Sequence, residues 1–172
     1  MSIEKVGISE GPAGIAQTLV YMRDLVVESD AHREVKETAV EIIRGIDPND
    51  YRAQVKAVVD WVRNHVDYVK DIHGVEEIQA PHVHLAAIKE KGKSYGDCDD
   101  FAVLESALLR AIGFQTRLEA LAVGADRYNH ARMAVFTGPN SEDWLAIEGT
   151  QKCDIGERYA SELDVMFIEP VG

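Results

Sequence analysis

Only two cysteines, Cys98 and Cys153, occur among 172 residues. That excludes a disulfide-stapled scaffold and makes a reducing compartment, the cytoplasm first, the expected setting. No apolar run approaches ~20 residues, so no segment is expected to span a membrane. The opening residues, Met1-Ser2-Ile3-Glu4-Lys5-Val6, lack the basic-then-apolar profile of a signal peptide. Positive charge is scarce: 18 Lys and Arg stand against 30 Asp and Glu, a net charge of −12. The basic clusters Lys89/Lys91/Lys93 and Arg110/Arg117 are small, which argues against nucleic acid as a partner, since phosphate contacts need clustered Lys and Arg. The acidity suits solubility, or the steering of a basic partner. There is no internal repeat, no low-complexity tract and no Asp-x-Asp-x-Asp-Gly calcium loop. What is present, 46% hydrophobic and 28% charged residues, is the composition of a soluble globular chain able to bury one core.

Apolar spacing divides the chain into helices and then strands. Residues 1–12 read as a loose arm. Ile15, Leu19, Met22 and Val26 predict a helix over 13–28, and Val35, Ala39, Ile42 and Ile43 a second over 31–44, stopped by Gly45. Asp47-Pro48-Asn49-Asp50 is a turn and a helix start. Val55, Val58, Val59, Val62 and Val66 then share one face of a third helix over 51–66, despite their β-branching. Residues 67–96 carry no long period and are rich in Gly, Pro, His and Lys, so an irregular segment, a candidate lid, is expected. Phe101, Leu104, Leu108, Leu109 and Ile112, closed by Gly113, mark the next helix. Strands are expected over 116–123, 130–136 and 144–147, with Gly138-Pro139-Asn140-Ser141 as a hairpin loop and Val165 to Ile168 as an edge strand. Helices followed by a small, mainly antiparallel sheet make an α+β layout.

The run Tyr95-Gly96-Asp97-Cys98-Asp99-Asp100-Phe101 opens the helix that precedes those strands. A cysteine at a helix mouth faces unpaired backbone N–H groups and the positive end of the dipole, and both favour the nucleophilic thiolate. Asp97, Asp99 and Asp100 argue against a plain apolar burial. They also oppose thiolate by like charge, so a paired imidazolium is needed as well. Asp99 and Asp100 complement the dipole in any case. Downstream, His130 opens one strand and Glu148 closes another within Trp144-Leu145-Ala146-Ile147-Glu148-Gly149-Thr150. Cys, His and acid in that order are a nucleophile, a base and an orienting group. His130 would take the thiol proton and return it to the leaving group.

These blocks resemble the transglutaminase-like superfamily, whose fold is related to the papain-like cysteine peptidases. The resemblance is carried by Gly96 to Asp100, by Leu108-Leu109-Arg110-Ala111-Ile112-Gly113-Phe114-Gln115-Thr116-Arg117, by His130 and by Trp144 to Thr150. Trp61 to Val69 and Gln79-Ala80-Pro81 add to it, and the chain is similar to small phage-encoded and bacterial members. The resemblance implies one domain over 1–172, with a helical extension over 1–50 and a papain-like core over 51–155 in which the Cys-bearing helix packs on the sheet. It implies Cys98, His130 and Glu148 as the triad and no cofactor. Gln79 could donate its side-chain amide to an oxyanion beside the Cys98 N–H, and Tyr95 could line the pocket. Glu148 departs from the family, which usually has Asp there; Glu is one methylene longer, so the strand or the ring must sit slightly further away. Asp143 and Asp154 are alternative acids, but neither fits the Trp-x-x-x-acid-x-Thr frame.

The implied function is a cysteine enzyme acting on an amide through a thioester on Cys98. Its substrate would be a protein or peptide, with hydrolysis favoured over cross-linking. A reading of another class stays open: a non-enzymatic assembly protein that keeps the fold and works with phage structural proteins in the host cytoplasm. His73, His82 and His84 raise a third, a zinc site. His-x-His on an extended segment can place two ring nitrogens on one side. No third ligand stands at a recognised spacing, so no metal is expected. Trp61 and Trp144 read as core or rim aromatics.

Overall fold

The computed structural model describes residues 11–71, 77–137, 144–159 and 161–169. Most of the expected N-terminal arm, His73, Asp143 and the Gly138 to Ser141 turn lie outside them. The chain opens with three helices: α1 (Pro12–Glu28), α2 (Arg33–Ile42) and α3 (Tyr51–His65). Each lies within two residues of its expected bounds. Their starts follow local rules: Pro12 fills the first turn of α1, and the Asp50 carboxylate accepts the Ala53 N–H at 2.9 Å to cap α3. Next come β1 (Val66–Tyr68), α4 (Pro81–Lys91), β2 (Ser94–Gly96) and α5 (Cys98–Ala111). The chain ends in β3 (Thr116–Val123), β4 (His130–Phe136), β5 (Trp144–Ile147) and β6 (Glu162–Ile168), an antiparallel sheet in the order β5-β4-β3-β6.

Helix α5 is the axis of the molecule. Every residue from Asp99 to Leu109 is buried, and Leu104, Leu108 and Leu109 have no exposed surface. Each such leucine contributes about 2 kcal/mol by removal from water. Helices α1, α2 and α3 pack against one side of α5, and β3 and β4 against the other. Alternation along the strands sets the second layer: Leu118, Ala120, Ala131 and Met133 join the core cluster. The intervening Glu119 and Arg132 are opposite each other across the β3–β4 ladder and are equally buried. This is the expected α+β, papain-like arrangement, with the cysteine helix laid on a small antiparallel sheet.

The segment expected to be irregular contains regular structure. β1 and β2 pair in parallel, with Val66 opposite Ser94 and Tyr68 opposite Gly96, and α4 connects them. Pro81 starts α4, and Gly92, at φ 79°, ends it in the left-handed conformation that a side chain would strain. Those two signals were available. The apolar period was masked because the buried side of α4 is made of Pro81, His84 and Leu85 rather than three aliphatic residues.

Candidate active site

The turn that presents Cys98 is tied by Asp97 and Asp100. Asp97 is the N-cap of α5 and accepts the Asp99 N–H at 3.2 Å; Asp100 reaches back to the Asp97 N–H at 3.1 Å, completing a capping box. The second oxygen of Asp100 accepts the Gln79 backbone N–H at 2.8 Å and contacts His84 Nε2 at 3.2 Å. His84, fully buried, holds Ser94 Oγ through Nδ1 at 2.7 Å. Gly96 is required here, because a Cβ at that position would fall on the Asp100 side chain. One carboxylate thus joins the Gln79 loop, α4, β2 and the cysteine turn.

Cys98 is partly buried, and its thiol donates toward Asp99 Oδ1 at 3.7 Å. Burial, then the carboxylates of Asp99 and Asp97, push the thiol well above its ordinary value; a backbone hydrogen bond from Ala131 pulls the other way. The helix start alone therefore does not yield a thiolate. Desolvation and like charge work against the dipole, and a partner cation would favour ionisation. His130 lines the same cleft, a space of about 660 Å³.

His130 is held by one acid and an aromatic ring. Its Nε2 lies 2.7 Å from Glu148 Oε2 and 3.4 Å from the Tyr159 hydroxyl, whose ring stands edge-on to the imidazole. Nε2 is thereby committed, leaving Nδ1 as the nitrogen free to serve a thiol. Glu148 is 4% exposed, and its other oxygen accepts from Arg132 Nη1 at 3.1 Å. Arg132 also donates from Nε to Glu119 at 2.7 Å and from its two terminal nitrogens to Glu162. Burial works against the Arg132 cation, but Glu162, Glu119 and Glu148 outweigh it and hold it above its ordinary value. Burial and Glu148 push the Tyr159 hydroxyl up, so it faces the imidazole as a neutral phenol.

The backbone of the acid-bearing segment is pinned from α3. Arg63 donates to the Glu148 carbonyl at 2.8 Å and to the Gly149 carbonyl at 3.3 Å. Beneath Gly149 lies Glu105 of α5, fully buried with both carboxyl oxygens unpartnered. A Cβ on Gly149 would stand 2.5 Å from one of them. Burial drives Glu105 well above the ordinary carboxylate range, against the pull of Arg63 and with the push of Glu148.

The structure therefore brings Cys98 and His130 to one cleft and joins Glu148 to His130. Gln79 sits on the loop before α4 with its side-chain amide donating to the Tyr95 carbonyl at 3.0 Å. Tyr95 is 55% exposed, because β2 alternates Ser94 in, Tyr95 out and Gly96 in. Tyr68 of β1 lines the cleft, whereas neither Gln79 nor Tyr95 is among its described lining residues. His82 and His84 lie on helical rather than extended backbone, and His82 stacks on His32 at 3.9 Å. Asp154 is exposed, on the loop after β5. Among the described residues one group has metal-ligand spacing, Asp97, Cys98 and Asp99, with ligand atoms within 4.8 Å. Asp97 already caps α5 and Asp99 takes the thiol. Sequence reasoning missed Arg132, Glu119, Tyr159, Arg63 and Glu105. A Glu and an Arg at the centres of otherwise apolar strands were a usable signal, since such residues are buried only when paired.

A profile of the transglutaminase-like superfamily matches residues 36–148, a span that contains Cys98, His130 and Glu148. Among solved structures, the chain is similar to a candidate cysteine protease from Cytophaga hutchinsonii, at 19% identity and a TM-score of 0.57, over 86% of this chain and 46% of that one. It is also similar to a candidate protease from Parabacteroides distasonis, at 11% identity and a TM-score of 0.50, over 78% of this chain and 31% of that one. At these identities the likeness is one of fold, and the chain spans less than half the length of either. No curated protein matches significantly. Among the described residues no helix is long and apolar enough to cross a membrane.

Proposed function

The chain belongs to the transglutaminase-like superfamily, and from that premise we propose that it is a cysteine hydrolase of protein or peptide amides, with Cys98 as nucleophile, His130 as base and acid, and Glu148 as the orienting group. The observation that carries the reading is the His130 Nε2 to Glu148 Oε2 contact of 2.7 Å, braced by Arg132, in the imidazole that shares the Cys98 cleft.

The geometry supports the following sequence. His130 Nδ1 takes the Cys98 proton, and the imidazolium is stabilised by Glu148. The ion pair offsets the burial and the acidic neighbours that hold the resting thiol protonated. The sulfur attacks the amide carbonyl, and the oxyanion develops near the Cys98 backbone N–H at the start of α5. The C–N bond then breaks, His130 returns its proton to the leaving amine, and a thioester remains on Cys98. Water, deprotonated by His130, attacks the thioester, releases the carboxylic acid and restores the thiol. Gln79 would join the oxyanion donors by turning its amide from the Tyr95 carbonyl. An amine in place of water would give cross-linking; hydrolysis is favoured by analogy with the two protease-like folds.

A second reading has its own observation. The strong upward push on the Cys98 thiol suits an assembly protein, phage-encoded and cytoplasmic in the host, that keeps the fold without the chemistry. Iodoacetamide alkylation of Cys98 from about pH 4 to about pH 10, in a Cys153→Ser background, separates the two. A midpoint well below ~8.5, the free-thiol value, together with loss of peptide-amide hydrolysis in Cys98→Ala at unchanged melting temperature, supports the enzyme. Alkylation that titrates at or above the free-thiol value overturns it.

A further inference from the structure

The cleft that holds Cys98 and His130 is not walled by the shared core alone. One side is made by α1, through Ile15, Thr18, Leu19 and Met22. These residues recur at i, i+3, i+4 and i+7, so they form a single stripe on one helix face, apolar but for the Thr18 hydroxyl. α1 lies N-terminal to the matched span of 36–148, so this wall stands outside the part of the chain that the family profile covers. It is fixed in place: Leu19 and Met22 are 3% and 1% exposed, and α1 packs on both α5 and β3. Ile15 and Thr18, both partly buried, are the members of the stripe that keep surface in the cleft, and Ile15 is the apolar one. The charged lining residues outside the cysteine turn, Lys70, Asp71 and Arg127, come from other elements.

We infer that the α1 stripe is a specificity wall, and that the cleft takes substrates with an apolar side chain beside the amide attacked by Cys98. The inference rests on Cys98 being the nucleophile. A space of about 660 Å³ is ample for a peptide segment with one large side chain. An apolar side chain laid on Ile15 gives up water on both surfaces. A charged one laid on Ile15 would be desolvated against that apolar surface. An acidic one would in addition meet Asp97 and Asp99 at the nucleophile.

The test uses N-acetyl amino-acid chloromethyl ketones, which alkylate a cleft thiol, in the Cys153→Ser chain. Rates for the leucyl, glutamyl and lysyl reagents are each divided by the iodoacetamide rate, which cancels thiol reactivity. The leucyl reagent is expected to lead both others by about tenfold, the scale of discrimination one apolar side chain gives. Ile15→Gln should cut that lead several-fold, and Ile15→Leu should keep it. Equal normalised rates, a lysyl lead, or a leucyl lead unmoved by Ile15→Gln would overturn the wall. The wild-type comparison decides even if the variant does not fold. A Cys98 that proves unactivated lowers all the rates together and leaves the ratios readable, so failure of the nucleophile and failure of the wall are distinct results.

Discussion

Glu148 reaches His130 with one oxygen, Oε2 to Nε2 at 2.7 Å, while its other oxygen accepts from Arg132 at 3.1 Å. The extra methylene relative to Asp is accommodated because Arg132 fixes the far end of the carboxylate. Glu148→Gln removes the charge and turns an NH₂ toward one of two donors. The expected cost is about 10²-fold or more in amide turnover, with peptide binding retained. Glu148→Asp should lie between, its carboxylate drawn back by one methylene. Steady-state kinetics on any accepted peptide amide checks both, and an unaltered rate in Glu148→Gln would move the orienting role to another group.

In this structure the Cys98 thiol is pushed up by burial and by Asp99 and Asp97. A cation at His130 would bring it down. Alkylation-versus-pH curves for His130→Ala should therefore shift to higher pH than those of the parent chain. Superimposable curves would mean that the two residues do not act as a pair.

Arg132, 1% exposed, bridges Glu119 at 0%, Glu148 at 4% and the partly buried Glu162, with Arg117 as a second cation on Glu119. Arg132→Met fills the volume but leaves Glu148 without its arginine and Glu119 with Arg117 alone. A loss of about 3–5 kcal/mol is expected from urea denaturation, accompanied by loss of activity because Glu148 is released. A loss below about 1 kcal/mol, the scale of a surface pair, would contradict the burial of the network.

Glu105 keeps its proton in the folded chain well above the ordinary value of 4.5 and releases it on unfolding. The folded state thus binds the extra proton, and the stability this provides is present below 4.5 and lost as pH rises. Glu105→Gln has no such proton. The stability of the variant relative to the parent should grow between about pH 5 and about pH 8, by at most about 1.4 kcal/mol per unit. Parallel stability-versus-pH curves would show that Glu105 is ionised in place, held by Arg63.

The sequence carried the helices and strands well where burial falls on one face. Ile15, Leu19, Met22 and Val26 announced α1, and Thr116 to Val123 announced β3. It failed at α4, whose buried side includes His84, a residue that no hydrophobic period registers. Cys98, His130 and Glu148 were legible because each stands at the end of an element that the pattern located. The supporting groups were not. Arg63, Glu105 and Tyr159 meet Glu148 and His130 only through tertiary packing between α3, α5 and the loop after β5, and nothing in local spacing encodes that meeting. Tyr95 lies outside the described cleft lining for a simpler reason: proximity in sequence to Cys98 says nothing of which side of β2 a ring leaves from.

Gly96 and Asp100 occupy the same space from opposite directions, the absent Cβ of one giving room for the carboxylate of the other. Over generations these two positions are a single choice. A lineage that gains a side chain at 96 meets the Asp100 Cβ as well as its carboxylate, so it has to reduce 100 to glycine or move the turn, and with the carboxylate go the ties to Gln79, His84 and Asp97 at once. Variation within this branch of sequences should therefore show the pair changing together or staying fixed together, with drift at either one alone selected away.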